Sequence, residues 1–379
     1  MIIKNGKIFT KDALFQEGIL SIKEDKIVDI LTDEGKMTET SDEQIVDAKG
    51  GYVIPGLVDI HFHGCVGYDF CDGNKEAFDA ICQYQLKNGV TSISPATMTL
   101  SREELTKIFE CAGNYENKIG SAIRGITMEG PFISVKKKGA QNEAFICKPD
   151  KDFFHEMQKL SGGLIKQVAV APEEDTDCAF TKEISKETVV SVAHTTADYD
   201  TANEAFQNGA THVTHLFNAM PAFAHRDPGV VGAAYDNLPV YVELICDGIH
   251  IHSSMVRAMF GLFGAERICM ISDSMMATGM VDGDYSLGGQ AVTVKGKLAT
   301  LKDGTIAGSA SNLMDCLRVA VKEMDISLED AVTACTITPA KSLHFDDVCG
   351  SIEVGKNADV VILNENLEIQ TIIKNGEIV

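Results

Sequence analysis

The sequence has little positive charge. It contains 33 Lys and Arg residues against 55 Asp and Glu residues, and its formal net charge at pH 7 is -22. Proteins that bind nucleic acid present a clustered basic face, whereas the short basic run here, Lys136–Lys138, is typical of a solvated loop. We therefore expect no nucleic-acid partner, and an anionic substrate would need a locally electropositive site.

Long apolar runs and an export signal are also missing. No apolar stretch reaches the ~20 residues that a membrane-spanning helix needs, and Met1–Gly6 lacks the charged-then-apolar layout of a signal peptide. The 11 cysteines are an odd number without CxxC spacing, so we interpret them as reduced thiols. These absences predict a cytoplasmic protein with no membrane partner.

Both chain ends have the pattern of short strands and turns. Ile2–Ile8 and Ile372–Ile378 each carry an Asn-Gly pair between apolar residues, which is a hairpin signal. We therefore predict a small β-sandwich domain formed by residues 1–52 and 345–379, with residues 53–344 inserted between its two parts.

The inserted region alternates apolar strand candidates with helical segments. The candidates are Val53–Ile60, Thr91–Pro95, Gly125–Met128, Gln167–Ala171, Val189–Ala193, His212–Leu216, Val240–Ile245 and Ile268–Ile271. This rhythm predicts an α/β fold, a TIM-like (β/α)8 barrel, with a doubly wound open sheet as the alternative. The Gly- and Thr-rich segment Val281–Lys302 is predicted to be a hairpin insertion that covers the barrel mouth.

Polar residues stand where the apolar runs end. They are His61, His63, Glu129, His194, His215, Asp247, His250 and Asp273. In a barrel of this kind the chemistry lies at the carboxyl ends of the strands, and imidazole and carboxylate groups are the ligands of catalytic divalent metals. Each residue alone is equally consistent with a hydrogen-bonded core position. Together they predict a metal-dependent hydrolase.

Two histidine pairs need separate arguments. His61 and His63 are two residues apart, so on a strand their side chains would point the same way. The alternative is a pair of buried, hydrogen-bonded histidines. His212 and His215 are three apart, so only one would face the barrel interior. We choose His215, nearer the strand end, and expect His212 to pack between strand and helix.

The motifs around these residues resemble the amidohydrolase superfamily over essentially the whole chain. Pro55–Gly64 resembles its opening signature and Gly350–Val361 its closing one. More specific segments are Met128–Ile133, Ala193–Ala197, Thr214–Pro221, Arg226–Gly229, Asp247–His250 and Ser272–Asp273. They resemble the branch that deacetylates N-acetylglucosamine 6-phosphate, in which a glutamate replaces the carboxylated lysine of the urease and dihydroorotase relatives.

The resemblance implies a role for each matching residue. Glu129, His194 and His215 would hold one divalent metal, and His61 and His63 a second, with Glu129 bridging. Asp273 would be the general base and acid. Asn218, the backbone of Ala219, Arg226 and His250 would bind the sugar phosphate, and Gln141, which stands where some members carry a histidine, would contact the substrate.

Partners and cofactors follow from the same resemblance. One or two metal ions are implied, zinc first, with iron, manganese or cobalt as alternatives. A homodimer is implied because the phosphate site of the family uses groups from a partner subunit. The small-molecule partner would be an amino-sugar phosphate.

Three other functions are considered. One is an amidohydrolase acting on a different amide or a cyclic amide. Another is an inactive relative kept as a scaffold, but the five candidate ligands and Asp273 are all present. The third, a sugar-phosphate sensor without turnover, has no supporting feature such as a DNA-binding helix pair.

Overall fold

The computed structural model describes residues 1–32 and 44–379. The helices are α1 (Lys75–Lys87), α2 (Arg102–Asn114), α3 (Lys151–Leu160), α4 (Ala179–Ile184), α5 (Tyr199–Gln207), α6 (Gly229–Asp236), α7 (Ser253–Phe263), α8 (Leu313–Met324), α9 (Leu328–Cys335) and α10 (Ile337–Ser342). The strands are β1 (Ile2–Phe9), β2 (Phe15–Lys23), β3 (Lys26–Leu31), β4 (Ile45–Asp47), β5 (Tyr52–Pro55), β6 (Leu57–Asp59), β7 (Gly64–Cys65), β8 (Tyr68–Asp69), β9 (Val90–Ile93), β10 (Ala122–Ile123), β11 (Ile126–Met128), β12 (Ile165–Val170), β13 (Val189–Val192), β14 (His212–Val213), β15 (Tyr241–Ile245), β16 (Ile268–Ile271), β17 (Gly283–Leu287), β18 (Gln290–Lys295), β19 (Leu298–Leu301), β20 (Val360–Leu363), β21 (Ile369–Lys374) and β22 (Glu377–Ile378).

Eight parallel strands form a closed ring. Strand β6 pairs with β9, and β11 to β16 pair with one another in sequence order. A parallel bridge between Ala96 and Thr127 joins β9 to β11. The ring closes where the N–H of Asp273, after β16, donates to the carbonyl of His61, after β6, at 3.0 Å. The predicted (β/α)8 barrel is confirmed, the open-sheet alternative is wrong, and the carboxyl ends of the strands meet at one rim.

Apolar side chains fill part of the ring interior. Val58, Ile60, Val189, Ile245, Cys269 and Ile271 belong to one buried cluster. Because β6 and β13 are not neighbours in the ring, a cluster that contains both Val58 and Val189 extends across its interior. Leu343 and Phe345 join the same cluster from the segment after α10. The polar residues at the rim therefore lie on a packed floor.

Strands from both chain ends lie in one sheet, in the order β22-β21-β20-β5-β1-β2-β3, with β4 beside β1. The predicted strand Val53–Ile60 is two strands: β5 pairs with β1 and β20, whereas β6 belongs to the barrel. The break falls at Gly56, where a Cβ atom would lie 2.2 Å from Oγ1 of Thr91, so this position requires glycine. The predicted boundary between residues 52 and 53 thus falls inside β5.

The predicted insertion Val281–Lys302 is confirmed as an antiparallel unit of three strands, β17, β18 and β19. Leu287 at the end of β17 and Thr305 and Ile306 after β19 line the cavity at the barrel rim. The insertion therefore forms one wall of the mouth. Among the helices in the described ranges, none combines the length and apolar character required to cross a membrane.

The close packing at Gly56 predicts a stability difference between two glycines. We expect Gly56→Ala to lower the free energy of unfolding by about 1–3 kcal/mol, because its methyl group would overlap Thr91. Gly261 lies in α7 and has nothing within 4 Å of its Cβ position. We expect Gly261→Ala, as the control, to leave stability unchanged or raise it by up to about 1 kcal/mol. Urea unfolding followed by circular dichroism measures both, and equal effects would contradict the packing at Gly56.

Candidate metal centre

Three ligand-type atoms form a compact triangle at the barrel rim. Oε1 of Glu129 lies 2.9 Å from Nε2 of His194 and 3.0 Å from Nε2 of His215, and the two ring nitrogens are 3.1 Å apart. Nitrogens bound to a tetrahedral ion at about 2.0–2.1 Å lie about 3.3 Å from each other. The triangle therefore has the size of one face of a metal coordination shell.

His61, His63 and Asp273 form a second group, whose ligand atoms lie within 4.8 Å of one another. Nε2 of His63 is 3.4 Å from Oδ1 of Asp273, and Nε2 of His61 is 3.9 Å from the same oxygen. His61 and His63 were predicted to point the same way because they would be two residues apart on one strand, and this reason is wrong. Strand β6 ends at Asp59, so both histidines lie beyond the strand and not on one face of it. The Asp59 carboxylate, which accepts a hydrogen bond from the Ser272 hydroxyl, ties the end of β6 to the segment after β16.

The two oxygens of Glu129 connect the groups. Oε1 belongs to the triangle, whereas Oε2 lies 3.2 Å from Nε2 of His63 and 3.6 Å from Nε2 of His61. The Glu129 side chain is only 2% exposed. One buried carboxylate therefore stands between two histidine pairs, which is the position of a bridging ligand.

The site concentrates charges that stabilise one another. Burial would raise the pKa of Glu129, but the neighbouring histidines, His61 first, lower it well below its usual value. Burial would lower the pKa of His63, yet its contacts with Asp273 and Glu129 raise it to about 10. Burial also opposes ionisation of Asp273, and the contact with His63 nevertheless lowers its pKa. The carboxylates thus favour positive charge at this position, which protons on the imidazoles or a divalent cation can supply.

The hydrogen bonds behind two imidazoles point their lone pairs into the site. Nδ1 of His61 donates to Glu243 at 2.9 Å, and Nδ1 of His194 donates to the Lys137 carbonyl at 2.9 Å. Nε2 of each ring then carries the lone pair, which is the arrangement that metal ligands require. Within the described ranges, the buried Nε2 of His61 has no hydrogen-bond partner. The residues present therefore fit a divalent metal ion.

Glu243 on β15 is the supporting residue that sequence reasoning missed. It is fully buried, and its Oε2 accepts from Nδ1 of His61 and, at 3.0 Å, from the N–H of His215. Its Oε1 accepts from Nε2 of Gln167 at 2.8 Å. The sequence does contain a sign of its role, because Glu243 is a charged residue inside the apolar run Tyr241–Ile245. A buried carboxylate is costly without partners, so partners could have been expected.

The expectation for His212 is also wrong. Its Nε2 lies 3.3 Å from Oε1 of Glu243, so the side chain points into the ring and does not pack between strand and helix. Strand β14 covers only His212–Val213, and His215 has a positive φ of 29°. Because regular alternation stops after Val213, both histidines reach the interior.

The basic run is not only a solvated loop. Lys136 and Lys137 line the rim cavity. The Lys137 carbonyl holds His194, and its Nζ donates to the Met220 carbonyl at 3.1 Å. Lys136 is exposed and Lys138 pairs with Glu143 at the surface, as predicted for a loop, whereas Lys137 is held at the rim.

Several site residues have a backbone conformation that side chains disfavour. His194, His215, Ala219 and Asp273 have positive φ values of 42°, 29°, 53° and 49°. Such conformations are uncommon for residues other than glycine and cluster at functional sites. They turn each side chain or amide away from the strand direction and toward the rim.

Four of the five predicted substrate residues line one cavity of about 400 Å³, together with Asp273 and every candidate ligand except His61. They are Gln141, Asn218, Ala219 and His250. Gln141 donates from Nε2 to Oε2 of Glu129 at 3.0 Å, and Asp247 accepts from Nδ1 of His250 at 2.8 Å. The fifth, Arg226, does not line this cavity. It lies exposed beside His225, with 2.8 Å between NH1 and Nε2.

Comparison with known proteins gives relatives over the whole chain. The N-acetylglucosamine-6-phosphate deacetylase of Bacillus subtilis is 35% identical over 384 residues, covering 100% of this chain and 96% of the relative. The crystal structure of N-acetylglucosamine-6-phosphate deacetylase from Pasteurella multocida has a TM-score of 0.93 at 28% identity and covers 100% of this chain and 99% of that one. A variant of the Mycobacterium smegmatis enzyme in complex with N-acetyl-D-glucosamine-6-phosphate has a TM-score of 0.92 at 28% identity, covering 100% and 98%.

The family-level comparison agrees with the site. The model of the amidohydrolase family matches residues 52–379, which include the barrel and all the candidate ligands. The resemblance inferred from the sequence motifs is confirmed, and this chain belongs to the amidohydrolase family.

Proposed function

We propose that this chain hydrolyses the acetamide group of N-acetylglucosamine 6-phosphate, giving glucosamine 6-phosphate and acetate. The observation that carries the proposal is Glu129, placed between two groups of metal-ligand atoms in a cavity that four of the five predicted substrate residues also line. Full-length relatives with this activity in their names support it. The alternative, a different amide or a cyclic amide, is not favoured by any of them.

The chemistry needs an activated water and a protonated leaving group, because an amide is a poor electrophile. A divalent ion held by these residues would lower the pKa of its water and polarise the amide carbonyl. Asp273 is ionised, since its contacts with histidines lower its pKa. We assign to it the proton transfer from water to the leaving amine.

We propose that Glu129, His194 and His215 hold one ion, and that His61 and His63 hold a second with Glu129 between them. Imidazole and carboxylate ligands in this number suit zinc first, and iron, manganese or cobalt next. Glu243 supports both sets, because it contacts the His61 ring and the His215 backbone.

We propose that the sugar phosphate contacts Asn218, the Ala219 amide, His250 and Gln141, which line the cavity. Arg226 is exposed and outside the cavity of its own chain. We therefore propose that it reaches the phosphate of a neighbouring copy in a homodimer.

Two further predictions remain proposals. The first is a small β-sandwich domain of residues 1–52 and 345–379 beside a barrel of 53–344, with the junction moved to Gly56. It is supported by a separate apolar cluster that includes Ile3, Val53 and Ile362. The second is a cytoplasmic location, which is supported by the 11 unpaired cysteines.

Replacing the proposed base tests the reaction. We expect Asp273→Asn to lower kcat for acetate release from N-acetylglucosamine 6-phosphate by about 10²–10⁴-fold, because the amide cannot take the proton. Metal at the Glu129 triangle should remain. Asp284→Asn, on the exposed face of β17, is the control. Near-normal turnover by the Asp273 variant would refute the assignment.

Replacing Glu243 tests the support of the ligands. We expect Glu243→Gln to weaken metal binding by about 10–100-fold, because the His61 ring loses its charged acceptor. Equilibrium dialysis against a competing chelator, followed by metal analysis, measures this without turnover. Glu187→Gln is the matched control, since Glu187 contacts His155 at 2.7 Å on the surface. Equal metal retention in both variants would contradict the role of Glu243.

A further inference from the structure

Two lysine side chains line the rim cavity, and neither has yet been given a function. Among the described residues that line it, the only lysines or arginines are Lys136 and Lys137. Neither has a carboxylate within 4.0 Å in the described ranges, whereas the next residue, Lys138, contacts Glu143 at 2.6 Å. In a chain of net charge -22, two lysines without an acidic partner facing one cavity make that wall locally electropositive.

Lys137 is fixed next to Asn218 and Ala219, two of the residues predicted to bind the sugar phosphate. Its Nζ donates to the Met220 carbonyl at 3.1 Å, one residue after Ala219. An ammonium group has three donors, so this bond leaves two available. The Ala219 N–H has no acceptor in the described part of the chain, although the residue lines the cavity and has a φ of 53°. An ammonium group and an unused amide therefore lie on adjacent parts of one wall.

A phosphate monoester is the ligand that such a wall suits. It carries about −1.5 to −2 charge at pH 7 and presents three acceptor oxygens. Charge-assisted hydrogen bonds from lysine and backbone amides are the usual way to bind it. The carboxylates that line the same cavity, Glu129 and Asp273, repel an anion. A cation in the wall of the cavity would offset this repulsion at the phosphate.

We propose that Lys137, with Lys136 beside it, binds the phosphate group of the substrate and selects phosphorylated over unphosphorylated amino sugars. This rests on the proposed function. It differs from the assignment of Arg226, because Lys137 acts within its own chain. The Lys137 carbonyl also holds Nδ1 of His194, so one residue positions a metal ligand through its backbone and the phosphate through its side chain.

The test compares two substrates in variants that remove only the charge. Lys137→Met keeps an unbranched side chain and the backbone bond to His194. We expect it to raise KM for N-acetylglucosamine 6-phosphate about 10–100-fold, with kcat little changed. For unphosphorylated N-acetylglucosamine we expect kcat/KM to be unchanged. Lys137→Arg should restore most of the affinity, and Lys138→Met is the matched control, with no effect on either substrate.

Each outcome decides the proposal. A selective loss in Lys137→Met, rescued by Lys137→Arg, supports it. Equal losses on both sugars would mean that Lys137 only holds the Met220 turn, and would overturn it. If the single variant shows no effect, the double variant Lys136→Met with Lys137→Met removes compensation by the neighbour, and no selective loss there overturns it as well. A wild-type chain that releases no acetate from the sugar phosphate would instead show that the proposed function itself has failed.

Discussion

The buried carboxylate of Glu129 is the group on which the rest of the site depends. Oε1 lies 2.9 and 3.0 Å from the rings of His194 and His215, and Oε2 lies 3.2 and 3.6 Å from those of His63 and His61. A buried charge costs several kcal/mol unless it is paired. Because these partners follow different strands, they meet only when the barrel is closed. The site and the fold are therefore coupled through one carboxylate, and its loss would leave four imidazoles without a common partner.

A second layer of buried acids fixes the geometry of the first. Glu243 sets the tautomer of His61 and holds the His215 backbone, and Asp247 holds the ring of His250. Asp59 ties the segment just before the histidine pair to Ser272. These contacts pre-organise the ligands, so little rearrangement is needed when a cation binds. The apolar floor beneath them supports the same arrangement.

Rules about strand ends predicted much of this structure from the sequence. The barrel, the insertion and the residues brought together at the rim all follow from polar groups placed after apolar runs. The failures have physical causes. The split at Gly56 depends on partners distant in sequence, because β5 pairs with β1 and β20 whereas β6 pairs with β9. His212 and His215 both face the interior because β14 ends at Val213, and the partners of Glu243 and Lys137 belong to other strands and loops. Sequence periodicity describes neighbours along the chain, whereas these contacts are set by the tertiary structure.

The measurement that tests the account most directly is acetate release from N-acetylglucosamine 6-phosphate by the full chain, before and after chelation, with metal counted in the same sample. The account predicts rapid release that chelation abolishes and that added divalent metal restores, with one or two ions per chain. Release that survives complete removal of the metal would contradict the role given to Glu129 and its histidines. Bound metal without any release would leave the metal centre intact and contradict the proposed substrate.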